Sequence, residues 1–231
     1  MTENEIVGII TAVDAELLPF LEELDSPSIT ERSMLKIYFG SINGKNLAAV
    51  CCGVGRTNAS IAAQLLISEY NVKSIIVSGT AGAMDEKVNI GDIVIAECAY
   101  YHDLEDYILS DFHPYLQRPC FHMDRNMLDA CRQAVAKGDI TGNVFFGRLI
   151  TGDKFIDSSN REELIKRYHP LSADMETAAF AHVCYVNQVP FFCARGISDN
   201  ASGSGLSEFE KNAHMASRRA FEAVKAVLPL I

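Results

Sequence analysis

Short runs of β-branched and apolar residues alternate with helix-like stretches along the whole 231-residue chain. This alternation constrains the fold most, because strands buried on both faces need helices to cover them. Ile6 to Ile10 is the first such run, and a helix over Asp14 to Leu24 follows with Leu17, Leu18 and Leu21 on one face. Met34 to Phe39 and Leu47 to Cys52 read as strands, with the tight-turn pair Asn43-Gly44 between them. A helix over Thr57 to Tyr70 precedes a strand over Lys73 to Ser78, which ends in Gly79-Thr80-Ala81-Gly82. Ile93 to Tyr100, Val144 to Thr151 and Val189 to Ile197 complete the strands, with helices expected over Arg125 to Lys137, Arg161 to Tyr168 and Met175 to Asn187. Phe209, Ala213, Ala216, Ala220, Val224 and Val227 recur at threes and fours, the spacing of one helix face. The expected fold is therefore α/β, a single domain over residues 1–231 with a mixed central β-sheet and helices on both faces. His102 to His122 is the one long irregular stretch, and such a loop in a compact domain serves function or an interface.

Composition narrows the function classes. Hydrophobic residues make up 48% and charged residues 22%, an ordinary globular balance. No apolar run reaches the roughly 18 residues that span a bilayer, so no membrane partner is expected. Twenty basic against thirty acidic side chains leave a net charge of −10, and the nearest thing to a basic cluster, Arg218-Arg219, is a solvated helix face. That balance disfavours a nucleic-acid partner. Seven cysteines with no Cys-x-x-Cys spacing fit free buried thiols in a reducing cytoplasm better than a disulfide framework. The histidines show no zinc spacing, no Walker A pattern occurs, and Gly53-Val54-Gly55 lacks the third glycine of a dinucleotide fingerprint because position 58 is Asn. Neither a metal nor a cofactor is expected.

In sheets of this kind ligands collect beyond the carboxyl ends of the strands. The segments that follow the strands carry two glycine-bearing turns and acids that include Glu16 and Asp199, and Glu176 lies where Ala173 to Phe180 opens an apolar helix. Each has an ordinary structural reading. Glu16 suits the first turn of a helix, Asp199 a turn or N-cap, and the Asp174/Glu176 pair the positive end of a helix dipole. Gly79 to Gly82 is either a tight turn or a place where backbone comes close to a ligand. No nucleophile elbow is present, so the candidate chemistry is carboxylate work, in which one protonated acid serves a leaving group and one ionised base serves water.

Taken together, these segments resemble the 5′-methylthioadenosine/S-adenosylhomocysteine nucleosidases of the purine nucleoside phosphorylase superfamily. The likeness runs in order through Gly8 to Glu16, Cys52 to Arg56, Ser78 to Gly82, Asn89 to Val94, Tyr101 to Asp103, Thr151 to Ile156, Asp174 to Ala179 and Arg195 to Asp199. It implies a nucleoside phosphorylase-like three-layer fold and irreversible hydrolysis of the bond between adenine and a 5′-thio-substituted ribose. On this resemblance Asp199 protonates adenine N7, Glu16 activates the attacking water, and Arg195 and Thr80 help hold that water. Glu176 accepts from the ribose hydroxyls while Met175 packs under the sugar. Phe155, Ile156, Ser198 and Gly82 bind adenine, and Val13, Val54 and Phe209 line the thioether pocket. A homodimer is implied, because the region of Tyr115, Gln117 and Pro119 reaches a neighbouring subunit's 5′-pocket in the family. This chain departs from the pattern in that region, where Asp106, Asp111 and His113 add polarity, and at Arg56, where the family usually has lysine. Phosphorolysis, a futalosine-type substrate and a non-catalytic nucleoside-binding protein remain the alternative readings.

Overall fold

The computed structural model describes residues 5–112, 116, 119–154, 156, 160–200 and 205–231, without the side chains at 205 and 206. Among the described residues ten strands form one mixed sheet. The first half runs β1 (Ile6–Thr11), α1 (Asp14–Glu23), β2 (Asp25–Arg32), β3 (Leu35–Ile42), β4 (Lys45–Cys51), α2 (Arg56–Tyr70), β5 (Ser74–Ala83) and β6 (Ile93–Tyr101). The second half runs α3 (Asp106–Phe112), β7 (Phe121–His122), α4 (Arg125–Lys137), β8 (Val144–Thr151), α5 (Arg161–Tyr168), β9 (Ser172–Asp174), α6 (Thr177–Asn187), β10 (Phe191–Asp199) and α7 (Gly205–Val227).

β1 lies between β4 and β5 and is parallel to both, and β5 continues in parallel into β10. These strands put their carboxyl ends on one edge. β10 also pairs antiparallel with β6, β6 runs parallel to β8, and β8 runs parallel to β9, which returns antiparallel to β5. β5, β10, β6, β8 and β9 thus close into a ring, and closure removes their free edges. All ten residues of β5 are buried, as the β-branched run at its start requires.

The glycine-bearing stretch Gly79 to Gly82, read from sequence as a turn after the strand, is strand instead. It belongs to β5, where Gly79 pairs with Arg195 and Gly82 with Asp199. Ser198 and Asp199 likewise lie within β10, past the expected end at Ile197, and a register shift falls between Ile197 and Asp199. Such a bulge re-aims the side chains beside it. Four further elements were hidden. β2 is a largely exposed edge strand with no apolar alternation, β9 has three residues, and α3 and β7 sit inside the stretch read as irregular.

The core joins the layers through close contacts. Phe20 of α1 meets Phe221 of α7 edge-on, with ring centroids 4.8 Å apart. Ala216, Ala220, Val224 and Val227 on one face of α7 are fully buried, as their spacing predicts. Gly196 of β10 lies so close under α7 that a Cβ there would sit 1.9 Å from the Ala216 carbonyl oxygen, a backbone atom that cannot step aside. Gly196→Ala is therefore expected to destabilise the fold by about 3 kcal/mol. A urea unfolding midpoint unchanged from the parent's would refute this packing.

Candidate active site

Glu16 sits in the first turn of α1, buried at the end of β1. One carboxylate oxygen accepts from the Ala12 N–H at 2.9 Å and the Val13 N–H at 3.3 Å. The other accepts from the Thr80 N–H and the Thr80 hydroxyl, each at 2.8 Å. The ordinary reading of Glu16 is therefore true, since it satisfies helix-start donors. It does so while bridging β1 to β5. Gly79 makes this possible. A Cβ at that position would lie 2.4 Å from Arg195 Nη1 and 2.8 Å from Glu16 Oε1.

Below this bridge lies a buried ion pair. Arg195 Nη2 meets Asp174 at 2.6 Å and Glu176 at 3.8 Å, and it also donates to the Thr177 hydroxyl at 2.9 Å. Asp174 is saturated with donors. It accepts from the Thr151 hydroxyl at 2.7 Å, the Glu176 N–H at 3.2 Å, the Thr177 N–H at 3.1 Å and the Thr177 hydroxyl. Two of these are backbone donors at the start of α6, so Asp174 does the work of a helix cap while neutralising Arg195. Burial alone would ease the proton off Arg195, but Asp174, then Cys193, Glu176 and Glu16, hold it firmly on.

Glu176 receives the Gly55 N–H at 2.9 Å. Burial and the neighbouring Asp174 raise its carboxyl to about 7, against the opposing pull of Arg195 and Gly55. Asp199 is buried at the end of β10 and accepts from the Ser198 hydroxyl at 2.8 Å.

These groups surround one cavity of about 270 Å³. Val13, Glu16, Val54, Thr80, Gly82, Met175, Glu176, Ser198, Asp199 and Phe209 all line it. A smaller lobe of about 60 Å³ shares Gly82, Met175 and Asp199 and adds Lys154 and Ile156. The sequence-derived residues thus come together, with two qualifications. Arg195 lies beneath the cavity rather than in its wall, and Phe155 lies outside the described residues, as do Tyr115 and Gln117. A larger open depression of about 420 Å³ at Asp25, Ser26 and Phe39 holds none of the candidate residues. Sequence reasoning gave no role to Asp174, Thr151 or Thr177. Asp174 was visible as an acid before a helix, but its partner in β10 was not.

Arg56, where the family resemblance leads one to expect lysine, is held by two carboxylates. Its guanidinium takes both oxygens of Asp103, at 2.9 and 3.1 Å, and one of Asp153 at 2.7 Å. It does not line either lobe.

Comparison with known proteins agrees with this geometry. The profile described as the phosphorylase superfamily matches residues 6–229, which defines the class. The 5′-methylthioadenosine/S-adenosylhomocysteine nucleosidase of Staphylococcus epidermidis is 30% identical over 227 residues, covering 96% of this chain and 99% of that one. The chain belongs to the 5′-methylthioadenosine/S-adenosylhomocysteine nucleosidase family of that superfamily. The Streptococcus pneumoniae nucleosidase with the transition-state inhibitor MT-ImmA superposes with a TM-score of 0.88 at 26% identity, covering 96% of this chain and 98% of that one. Futalosine hydrolase of Helicobacter pylori shares the fold, with a TM-score of 0.89 at 21% identity and 98% coverage of both chains.

The raised Glu176 carboxyl has a consequence for stability. A free glutamate titrates near 4.5 and Glu176 near 7, so the stability its proton contributes is complete below 4.5 and is lost as pH rises through 7. Glu176→Gln is expected to flatten this slope and to gain on the order of 2 kcal/mol relative to the parent between acidic and neutral pH. Urea unfolding across that range measures the difference, and parallel pH profiles would contradict it.

Proposed function

We propose that the protein hydrolyses the N-glycosidic bond of 5′-methylthioadenosine and S-adenosylhomocysteine, releasing adenine and the 5′-thioribose. The observation that carries this reading is the meeting of Glu16, Glu176 and Asp199 around a single cavity. Asp199 gives its proton to adenine N7 as the bond from the base to the sugar breaks. A leaving group protonated in this way departs as a neutral base. The sugar becomes oxocarbenium-like, and Glu16 takes a proton from water as the water oxygen bonds the anomeric carbon.

Four donors fill the Glu16 carboxylate, as many as its lone pairs accommodate. Water must therefore displace one of them. The Thr80 hydroxyl is the donor that can rotate away without disturbing backbone, and once rotated it can accept from the same water. Glu176 offers its remaining carboxylate capacity to the ribose hydroxyls, with Met175 beneath the ring. Gly82, Ser198, Phe155 and Ile156 take the adenine, and Val13, Val54 and Phe209 receive the thioether. Arg195 acts from below, holding Asp174 and Glu176 in place.

Water is favoured over phosphate by charge. No lysine or arginine is among the described residues lining the larger cavity, whereas four carboxyls line it. A phosphate dianion needs cationic partners there, and Arg56 is already taken by Asp103 and Asp153. A homodimer fits the exposed Val54 at the cavity wall and the exposed apolar residues on the packed helices α2 and α6, Ile61, Tyr185 and Val186. Seven free thiols, five of them buried, fit a cytoplasmic setting.

The test is release of the free purine base, followed by absorbance, from methylthioadenosine, adenosylhomocysteine, adenosine and futalosine side by side, with and without phosphate. The expected products are adenine and a free thioribose, whatever the phosphate concentration. Asp199→Asn is expected to lower kcat by about 10²–10⁴-fold. Full turnover in that variant would remove Asp199 from the acid role, and a ribose 1-phosphate product would make the enzyme a phosphorylase.

A further inference from the structure

The ion-pair cluster around Arg56 lies outside the cavity yet joins three segments that build it. Arg56 opens α2, directly after Val54 and Gly55. Asp103 follows β6 and Asp153 follows β8. Besides the three side-chain contacts, the Arg56 N–H points at Asp153 at 3.4 Å and the Asp153 N–H donates to Asp103 at 3.1 Å. The guanidinium also sits over the Tyr101 ring, 5.4 Å from its centroid. A bidentate fork on one carboxylate and a single bond to a second fix direction as well as distance.

What the cluster holds is a loop with little stiffness of its own. Gly53 and Gly55 adopt φ of +87° and +100°, and no Cβ restrains either. Yet this loop supplies a cavity wall through Val54 and, through the Gly55 N–H, a hydrogen bond to Glu176. The Asp153 side leads into Lys154 and Ile156 of the smaller lobe. The same segments are tied to the floor of the site, where the Gly152 N–H donates to the Asp174 carbonyl at 3.2 Å and the His102 N–H to the Thr151 carbonyl at 3.0 Å.

We infer that Arg56 is a positioning residue for nucleoside binding. By gripping Asp103 and Asp153 together, it clamps the Gly53–Gly55 loop against the segments after β6 and β8 and so aims Glu176 at the ribose. This inference rests on the proposed nucleosidase reading for its substrate, but the clamp itself is a property of the unliganded protein. It assigns the guanidinium to two internal carboxylates rather than to an anionic co-substrate.

The experiment compares the full chain with Arg56→Ala, Arg56→Lys, Asp103→Asn and Arg56→Ala/Asp103→Asn. Methylthioadenosine turnover and hydrogen exchange at the Gly53–Gly55 amides are measured for each. Arg56→Ala is expected to raise KM roughly tenfold with a smaller fall in kcat, because misplacement acts mainly on binding. Arg56→Lys, which keeps the charge but not the fork, is expected to recover part of the loss. Asp103→Asn is expected to raise KM in the same way, with the double variant no worse than Arg56→Ala, since partners in one contact are not additive. Amide exchange of the loop should quicken in Arg56→Ala and slow again in Arg56→Lys.

A parent that turns over, with both constants of Arg56→Ala within about twofold of it, overturns the clamp. Unchanged loop exchange overturns it equally, and so does inhibition by inorganic phosphate that vanishes in Arg56→Ala. Should the parent release no adenine from any nucleoside, the functional proposal fails instead, and the exchange measurement still judges the clamp.

Discussion

The buried contact between Asp174 and Arg195 holds this site together. Both side chains are almost wholly shielded from water. A charge so placed is tolerable only with a partner and full hydrogen bonding, and removing either partner of such a pair costs about 3–5 kcal/mol. Here the partners come from β9 and β10, and the Thr177 hydroxyl that joins them, accepting from Arg195 and donating to Asp174, comes from the first turn of α6. One ion pair therefore fixes the mutual placement of two strands and a helix start. The backbone of Glu176, between Asp174 and Thr177, is fixed by the same contacts. The raised proton affinity of Glu176 follows from the same packing, because burial and Asp174 act on it together.

Close approach is the second constraint, and glycine supplies it. At Gly79 the Arg195 guanidinium and the Glu16 carboxylate occupy the volume that a side chain would need. At Gly196, on the neighbouring strand, the α7 backbone occupies it. Two glycines thus let the ionic floor of the cavity and the covering helix both press against the β5–β10 pair. Strands paired over eight positions are stiffer than loops. Groups set on such strands keep the sub-ångström placement that acid–base work demands.

The sequence showed the apolar runs well, because burial on both faces leaves an unbroken hydrophobic signature, and β1, β5 and β10 all carry it. It failed where short-range chemistry and long-range pairing disagree. Gly79 to Gly82 looks like a turn by composition, yet it is strand because β9 and β10 supply ladder partners that no local pattern reveals. β2 lacks alternation since neither face is buried, and β9 is too short to show any. In the site, carboxylates at strand ends were legible one by one. Their meeting at one nucleoside was an expectation of the family resemblance, but the role of Asp174 was not legible, because its meaning depends on an arginine 21 positions later. The partners of Arg56 were hidden for the same reason, as they lie 47 and 97 residues away.

The charge balance of the cavity ties its parts into one argument. Four carboxyls and one guanidinium are gathered there, and the guanidinium is committed to Asp174 beneath the wall. A surplus of negative groups in a buried site is costly in the resting protein, and the raised proton affinity of Glu176 follows from it. The surplus suits a reaction whose sugar becomes cationic on the way to the transition state. Fixed carboxylates then gain attraction as the barrier is climbed, which is how preorganised charge lowers it. An anionic nucleophile would meet the opposite field, and an uncharged water molecule meets none. On the proposed reading, the electrostatics that favour breaking the bond to adenine are therefore the same electrostatics that select water to complete it.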